Sequence, residues 1–280
     1  MAHLCATFKN AGTTELISSS GGNAGLAVAT VGGRLGLDVS VIVPETTKPL
    51  VIAKLESLGA KVTIFGENWN AADKLAREKV DAKPGVEYVS PYDNPLLWTG
   101  HSTLIDEIAD QLMESAELRP GAIVVSVGGG GLVCGVLEGC SRRKLATKII
   151  TSETDGASCF KQSWDSGDIV TLPGIDSIAT SLGATSCTPV ALERARAHQG
   201  GFAAMGCTDS EAVDACVRFA KDHRMLVEPA CGAALAVVYS ERLREACLSD
   251  VEGPIVLEVC GGSGVDIDLL HGWKEQFLSA

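Results

Sequence analysis

Three glycine-rich turns hold the residues whose types and spacing could do chemistry, and each follows a short apolar run. The first is Ser18-Ser19-Ser20-Gly21-Gly22-Asn23-Ala24-Gly25. Its amides open onto a helix start, where unpaired N–H groups and the helix dipole favour an anion such as a carboxylate. Asn23 adds a side chain that both donates and accepts. A Ser/Asn-capped helix with glycines for the turn reads equally well. The second is Ser126-Val127-Gly128-Gly129-Gly130-Gly131-Leu132. Four glycines without a Cβ let backbone amides wrap a phosphate closely. A dinucleotide signature fails because Val133 or Cys134 stands where its third glycine is needed, and a nucleoside-triphosphate loop fails because no Lys follows. A merely permissive turn is the plainer alternative. The third is Val259-Cys260-Gly261-Gly262-Ser263-Gly264, with Cys260 at the carboxyl end of an apolar strand, where open α/β sheets bind ligands. Its thiol could meet a ring nitrogen; a lone cysteine reads more simply as a small buried hydrophobe. Glu228, before Pro229 and an Ala-rich stretch, reads as a functional carboxylate or, preferably, as an acidic helix cap.

The elements that must position these turns alternate. Apolar runs predict strands near 16–18, 39–43, 62–65, 123–127, 149–150 and 255–259. Amphipathic stretches predict helices near 23–36, 48–59, 68–80, 96–117, 131–143, 208–222 and 230–246. Strands alternating with helices imply an α/β fold with mostly parallel sheets. A composition shift near 95 suggests two lobes, 1–95 and 96–280, joined by the helix over 96–117.

A formal net charge of −12 excludes a basic nucleic-acid footprint. The 10 cysteines are scattered without a C-x-x-C pair, which favours reduced, buried thiols over zinc or disulfides. Residues 1–12 show no signal-peptide pattern and no run reaches membrane-spanning length, so cytoplasm is the default expectation.

Taken in order, S-S-G-G-N-A-G at 19–25, P-E-T-T at 44–47, V-G-G-G-G-L at 127–132, S-E-T-D-G-A at 152–157, T-S-L-G-A at 180–184, M-L-V-E-P-A-C-G-A-A-L-A at 225–236 and V-C-G-G-S at 259–263 resemble the fold-type II pyridoxal-phosphate enzymes. The resemblance is strongest to the L-serine dehydratase/L-threonine deaminase group and its serine dehydratase-like members. It implies a two-lobed, tryptophan synthase β-like architecture. The small domain, 1–95, would carry the substrate-carboxylate loop at Ser20, Gly21, Gly22 and Asn23, and Asn23 would also bond the cofactor's phenolic oxygen. The large domain, 96–280, would cradle the pyridoxal 5'-phosphate phosphate at Gly128, Gly129, Gly130, Gly131 and Leu132. Ser181 would flank the cofactor ring, where relatives often have Ala, and Cys260 would face its nitrogen as a neutral group suited to β-elimination. The segments of Glu153, Ala157, Leu182 and Ala184, with Gly128, would lie near a monovalent cation (K+). Gly21 stands where some members have Ala. The implied reaction takes L-serine or L-threonine to pyruvate or 2-oxobutyrate plus ammonia, and the implied assembly is a homodimer.

One departure stands out. The family's Schiff-base lysine belongs to an S-x-K-x-R-like loop roughly two dozen residues before the loop Asn, which counts back to a few residues before Met1. The expectation is that this lysine, with the first elements of the large lobe, is absent from the chain. Lys9 lies 14 residues before Asn23, lacks the flanking Ser and Arg, and is expected at the surface. Either the chain is part of a longer enzyme or it is a shortened protein with altered activity; intact cofactor motifs favour the former. Weak cofactor binding and very slow turnover are expected of the chain as written. Other readings stay open: a β-replacement enzyme of the cysteine or cystathionine synthase type, a racemase, or a non-catalytic binding protein that keeps the anion loops.

Overall fold

The computed structural model describes residues 1–116 and 119–279, so Glu117, the last residue of the helix expected over 96–117, lies outside the described residues. It divides into two compact units, Met1–Gly100 and His101–Ala280.

The first unit runs α1 (Ala2–Asn10), β1 (Glu15–Ser18), α2 (Asn23–Leu35), β2 (Asp38–Val43), α3 (Pro49–Ser57), β3 (Lys61–Ile64), α4 (Trp69–Asp81) and β4 (Val86–Tyr88), and ends within α5 (Pro95–Ala116). Its strands are parallel in the order β3-β2-β1-β4. Alternation along a strand decides what covers each face. Leu16, Val39, Val41 and Val43 pack with Leu4, Val28, Ala29 and Leu55 from α1, α2 and α3. Ile17, Ile42 and Val86 pack with Ala72 and Ala76 of α4. Each fully buried Val, Leu or Ile among them contributes about 1.5–3 kcal/mol relative to exposure.

The second unit continues with β5 (Ala122–Ser126), α6 (Gly131–Arg143), β6 (Lys148–Thr154), α7 (Cys159–Ser166), α8 (Pro189–Ala197), β7 (Phe202–Cys207), α9 (Asp209–His223), α10 (Pro229–Tyr239), α11 (Glu241–Leu248), β8 (Ile255–Leu257) and α12 (Ile267–Leu278). Its parallel strands stand in the order β7-β6-β5-β8. Ala122, Val124 and Ile150 pack against Ala234, Val237, Cys247 and Leu248 of α10 and α11. Close helix contacts rest on absent side chains. A Cβ on Gly232 would lie 2.3 Å from the Ala212 carbonyl oxygen, and one on Gly139 would lie 2.6 Å from Ile105 Cβ.

The expected single helix over 230–246 is two helices. Ser240 takes extended backbone between α10 and α11, and its Oγ donates to Glu211 Oε1 at 2.9 Å. Arg242 pairs with the same carboxylate, so a tertiary anchor breaks what local propensity would continue. The strand expected over 149–150 runs instead through Lys148–Thr154, and its polar residues Thr151, Ser152, Glu153 and Thr154 are all buried. Unexpected from the sequence are α1, β4, α7, α8, β7 and α12. Among the described residues, no helix is long and apolar enough to cross a membrane.

Candidate active site

In the first unit, β1 ends at Ser18 and α2 begins at Asn23, leaving Ser19–Gly22 as the turn. The N-cap is Gly22, with no side-chain cap and no acidic residue in the first turn. Asn68, Thr208 and Asp266 accept backbone N–H bonds at the starts of α4, α9 and α12, whereas α3, α7, α8 and α10, like α2, start without a side-chain cap bond or a first-turn acid. The α2 terminus therefore keeps its dipole uncompensated by local acids, as an anion site requires. Ser18 Oγ donates to the Val89 carbonyl at 3.2 Å and accepts from Ser20 N at 3.4 Å, and Ser20 Oγ accepts from Gly22 N at 3.3 Å. A Cβ on Gly25 would come within 1.8 Å of the Ser20 carbonyl oxygen, so α2 lies directly on the turn. Ser20 and Gly21 are half-buried, whereas Gly22 and Asn23 are exposed.

In the second unit, the four glycines connect β5 to α6. Gly130 has φ +92°, a left-handed conformation, and α6 also starts without a side-chain cap or an acidic first turn. A Cβ on Gly128 would sit 3.1 Å from Leu182 Cα, and one on Gly130 would sit 2.7 Å from Ala191 Cβ. The Gly129 carbonyl accepts from Thr188 N at 2.9 Å, and the Gly128 carbonyl accepts from Cys159 Sγ at 3.6 Å. Gly131 and Leu132 form the first turn of α6. Leu182, Ala157 and Gly128 thus belong to one neighbourhood, in which Leu182 and Ala157 share a core cluster. The Leu182 carbonyl accepts from Ala184 N at 2.8 Å. Buried Glu153 accepts from the Phe160 and Lys161 amides at the start of α7, and burial pushes its carboxyl up to about 8. No group of three or more His, Cys, Asp or Glu side chains is set to hold a metal among the described residues.

Glu228 departs from the expected cap. It occupies the N-cap position of α10, but its side chain makes no capping bond. Its carboxylate instead accepts from Ser181 Oγ and, at 2.7 Å, from Gly264 N. Gly262, at φ +103°, would place a Cβ 2.2 Å from Glu228 Cδ. Glu228 therefore ties the Thr180–Leu182 turn and the Gly261–Gly264 loop to the start of α10. The reason is geometric: the carboxylate finds a hydroxyl and an amide from distant segments, a stronger anchor than its own helix end.

Cys260 also differs from expectation. It lies three residues past the end of β8 and is exposed, unlike the other nine cysteines, all of which are buried and free. Partial desolvation together with the nearby Glu258 carboxylate raises its pKa. The thiol stays neutral and donates to Glu258 Oε1 at 3.0 Å. Glu258 itself is pushed above the usual carboxylate range by burial. Lys9 donates to the Leu35 carbonyl, at the end of α2 opposite to Asn23. Sequence reasoning did not single out Asp73 and Tyr88, which bond Ser19 beside the first turn, nor Glu258 beside Cys260. The signals were faint: one acidic residue in an amphipathic helix, one aromatic in a short strand, one acid inside an apolar run.

An amide-lined, Cβ-free cradle at a helix start fits a phosphate, and a neutral thiol fits a ring nitrogen that is not to be fully protonated. The family model described as pyridoxal-phosphate dependent enzyme matches residues 1–261. The chain belongs to that family. Relatives within the reach of this family include the L-serine dehydratase/L-threonine deaminase of Bos taurus, 39% identical over 281 residues that cover 99% of this chain and 84% of the relative. A serine dehydratase-like protein of Homo sapiens is 40% identical over 281 residues, covering 98% and 83%. The crystal structure of a fungal L-serine ammonia-lyase from Rhizomucor miehei superposes with a TM-score of 0.88 at 30% identity, covering 98% of this chain and 86% of that one. The two parallel sheets and their glycine turns are thus the frame of a pyridoxal-phosphate enzyme.

Proposed function

We propose that this chain is the body of a pyridoxal-phosphate-dependent ammonia-lyase that takes L-serine, and L-threonine as the larger substrate, to a 2-oxo acid and ammonia. The observation that carries the reading is the Cβ-free turn Gly128–Gly131 at the start of α6, where Gly130 takes φ +92° and a Cβ on Gly128 or Gly130 would strike Leu182 or Ala191. Gly128, Gly129, Gly130, Gly131 and Leu132 hold the cofactor phosphate through backbone amides and the α6 dipole. Ser20, Gly21, Gly22 and Asn23 hold the substrate carboxylate in the same manner, and Asn23 adds a side-chain bond to the cofactor's phenolic oxygen. Ser181, held by Glu228, flanks the ring. When bound, pyridoxal phosphate supplies an electron sink for charge developing at the substrate Cα. Cys260, kept as a neutral thiol beside Glu258, faces the ring nitrogen without giving it a full charge partner. This tuning favours loss of the β-hydroxyl over transamination. A K+ ion near Gly128, Ala157, Leu182 and Ala184, a homodimeric assembly and a cytoplasmic setting complete the proposal. We place the Schiff-base lysine outside these 280 residues on the motif spacing that the family resemblance implies, and Lys9 is not a substitute, being committed to Leu35 at the far end of α2.

The test is titration with pyridoxal phosphate, followed by pyruvate release from L-serine, then borohydride reduction and peptide mapping. Cofactor binding that inorganic phosphate competes away, slow pyruvate release and an unlabelled Lys9 are expected. Turnover in the ordinary enzyme range of about 1–10³ s⁻¹, with a labelled lysine, would overturn the lysine placement alone. Absence of both cofactor binding and pyruvate would overturn the function.

A further inference from the structure

The turn assigned to the substrate carboxylate is fixed from behind by three side chains that no motif contains. Ser19, fully buried, directly precedes the turn residues Ser20–Asn23. Its Oγ donates to Asp73 Oδ1 at 2.7 Å and lies 2.9 Å from Tyr88 OH. Tyr88 OH donates to the same Asp73 oxygen, while Arg77 Nε donates to Asp73 Oδ2 at 2.8 Å. The Arg77 guanidinium also stacks over the Tyr88 ring, 4.2 Å from its centre. Asp73 and Arg77 come from α4 and Tyr88 from the end of β4, so two elements meet at one carboxylate.

The arrangement answers an electrostatic problem. A carboxylate close behind an anion-binding turn would repel the substrate's carboxylate if its charge were free. Here both of its oxygens are occupied, one by two hydroxyl groups and the other by a guanidinium, which turns the charge inward and compensates it. The hydroxyl of Ser19 is consumed in the same network. Within the turn, the Ser20 and Gly22 amides make only long bonds, to Ser18 Oγ at 3.4 Å and to Ser20 Oγ at 3.3 Å. The Ser20 carbonyl is meanwhile trapped against Gly25, so a shift of Ser19 moves the whole turn rather than one bond.

We infer that Asp73 is a positioning residue for substrate-carboxylate recognition, acting through Ser19 with Tyr88 and Arg77 as its supports. The inference rests on the proposed carboxylate role of Ser20–Asn23. Asp73 touches neither substrate nor cofactor in this account; its contribution is the angle at which the turn's amides are held. Asn in its place would keep an acceptor for Ser19 and Tyr88 but would set an amide N–H against Arg77, and Ala would keep neither.

The experiment compares binding of L-alanine and L-alaninamide to the cofactor-loaded chain by isothermal titration calorimetry. The first ligand has a carboxylate, the second does not, and neither carries a β-leaving group, so the result is independent of turnover. Wild-type protein should prefer L-alanine. Asp73→Ala should weaken L-alanine by about tenfold, in line with the cost of misplacing a bound group by a fraction of an ångström, and leave L-alaninamide and pyridoxal-phosphate affinity within about twofold. Asp73→Asn should recover part of the loss, and Tyr88→Phe, which keeps the ring under Arg77, should lose about threefold for L-alanine alone. Tyr88→Phe also serves if Asp73→Ala does not fold. Equal weakening of both ligands, or none in any variant, overturns the positioning role. A wild-type chain that does not distinguish the two ligands overturns the carboxylate assignment of the turn itself, and this inference with it.

Discussion

The two glycine turns before α2 and α6 are built by opposite means. The turn before α2 is fixed by side chains: Ser18 and Ser19 reach the Val89 carbonyl, Asp73 and Tyr88, and Ser20 Oγ closes on Gly22 N. The turn before α6 is fixed by missing side chains. Gly128 and Gly130 let the Leu182 backbone and Ala191 approach to distances that a Cβ would forbid, and the carbonyls of Gly128 and Gly129 are tied by Cys159 and Thr188. The difference suits the guest proposed for each turn. A phosphate offers several oxygens and needs a deep backbone wrap, which bulk would fill. A substrate carboxylate must be held at a set angle to the reacting carbon and released after each turnover, and a tunable hydrogen-bond network suits that.

This contrast can be broken from either side. The largest effect is expected where the first turn borrows the second's device. Gly25→Ala pushes a methyl to within 1.8 Å of the Ser20 carbonyl oxygen and should cost about 3 kcal/mol, read as a fall in the midpoint of thermal unfolding. Next, Gly130→Ala forces a side chain into φ +92° against Ala191. It should weaken pyridoxal-phosphate binding about tenfold, from about 1–2 kcal/mol of backbone strain, with the chain still folded; unchanged cofactor affinity would mean that the cradle yields.

A smaller effect is expected from Asp73, and it depends on pH. Burial would raise this carboxyl, but bonds from Tyr88, Arg77 and Ser19 outweigh that and hold it below its ordinary 3.8. The folded pKa is depressed, so the stabilisation is present above about the ordinary value and is lost as pH falls through the folded one. Asp73→Asn should therefore lose about 1 kcal/mol at pH 7 and converge on wild type in acid, as measured by urea unfolding at a series of pH values. A gap that persists in acid would place the effect in packing, not charge. The smallest change is Gly21→Ala. Its Cβ would meet Thr47 Cγ2 and Val43 Cγ1 at 3.3 Å, close enough to need a slight retreat of either. A stability change within about 0.5 kcal/mol is expected, with the L-serine KM as the more sensitive readout.

Much of the fold was legible because the two periods that matter are written locally. Leu16 and Ile17 face opposite sides of the sheet, the helices over 23–36 and 131–143 follow glycine runs, and parallel α/β topology follows from the alternation of strands and helices. The turns at 18–25 and 126–132 were visible for the same reason: a glycine run after an apolar strand is a local event. The elements that went unseen carry weak local signals. β7 is Phe-Ala-Ala-Met-Gly-Cys, a strand made by pairing with β6 along its full length, and the polar end of β6 is buried by what surrounds it.

The sequence by itself thus determined the parallel α/β class and the two glycine turns, because strand period and glycine content are properties of adjacent residues, and it showed the family through the resemblance of its ordered motifs. Tertiary structure alone decided that Glu228 anchors Ser181 and Gly264 and does not cap its helix, that Cys260 lies beside Glu258, that Ser240 interrupts a helix to reach Glu211, and that Asp73 stands behind Ser19. Each of these joins side chains whose pairing depends on where distant backbone segments end up. A carboxylate takes the best donors within reach in space, and no spacing along the chain encodes that reach.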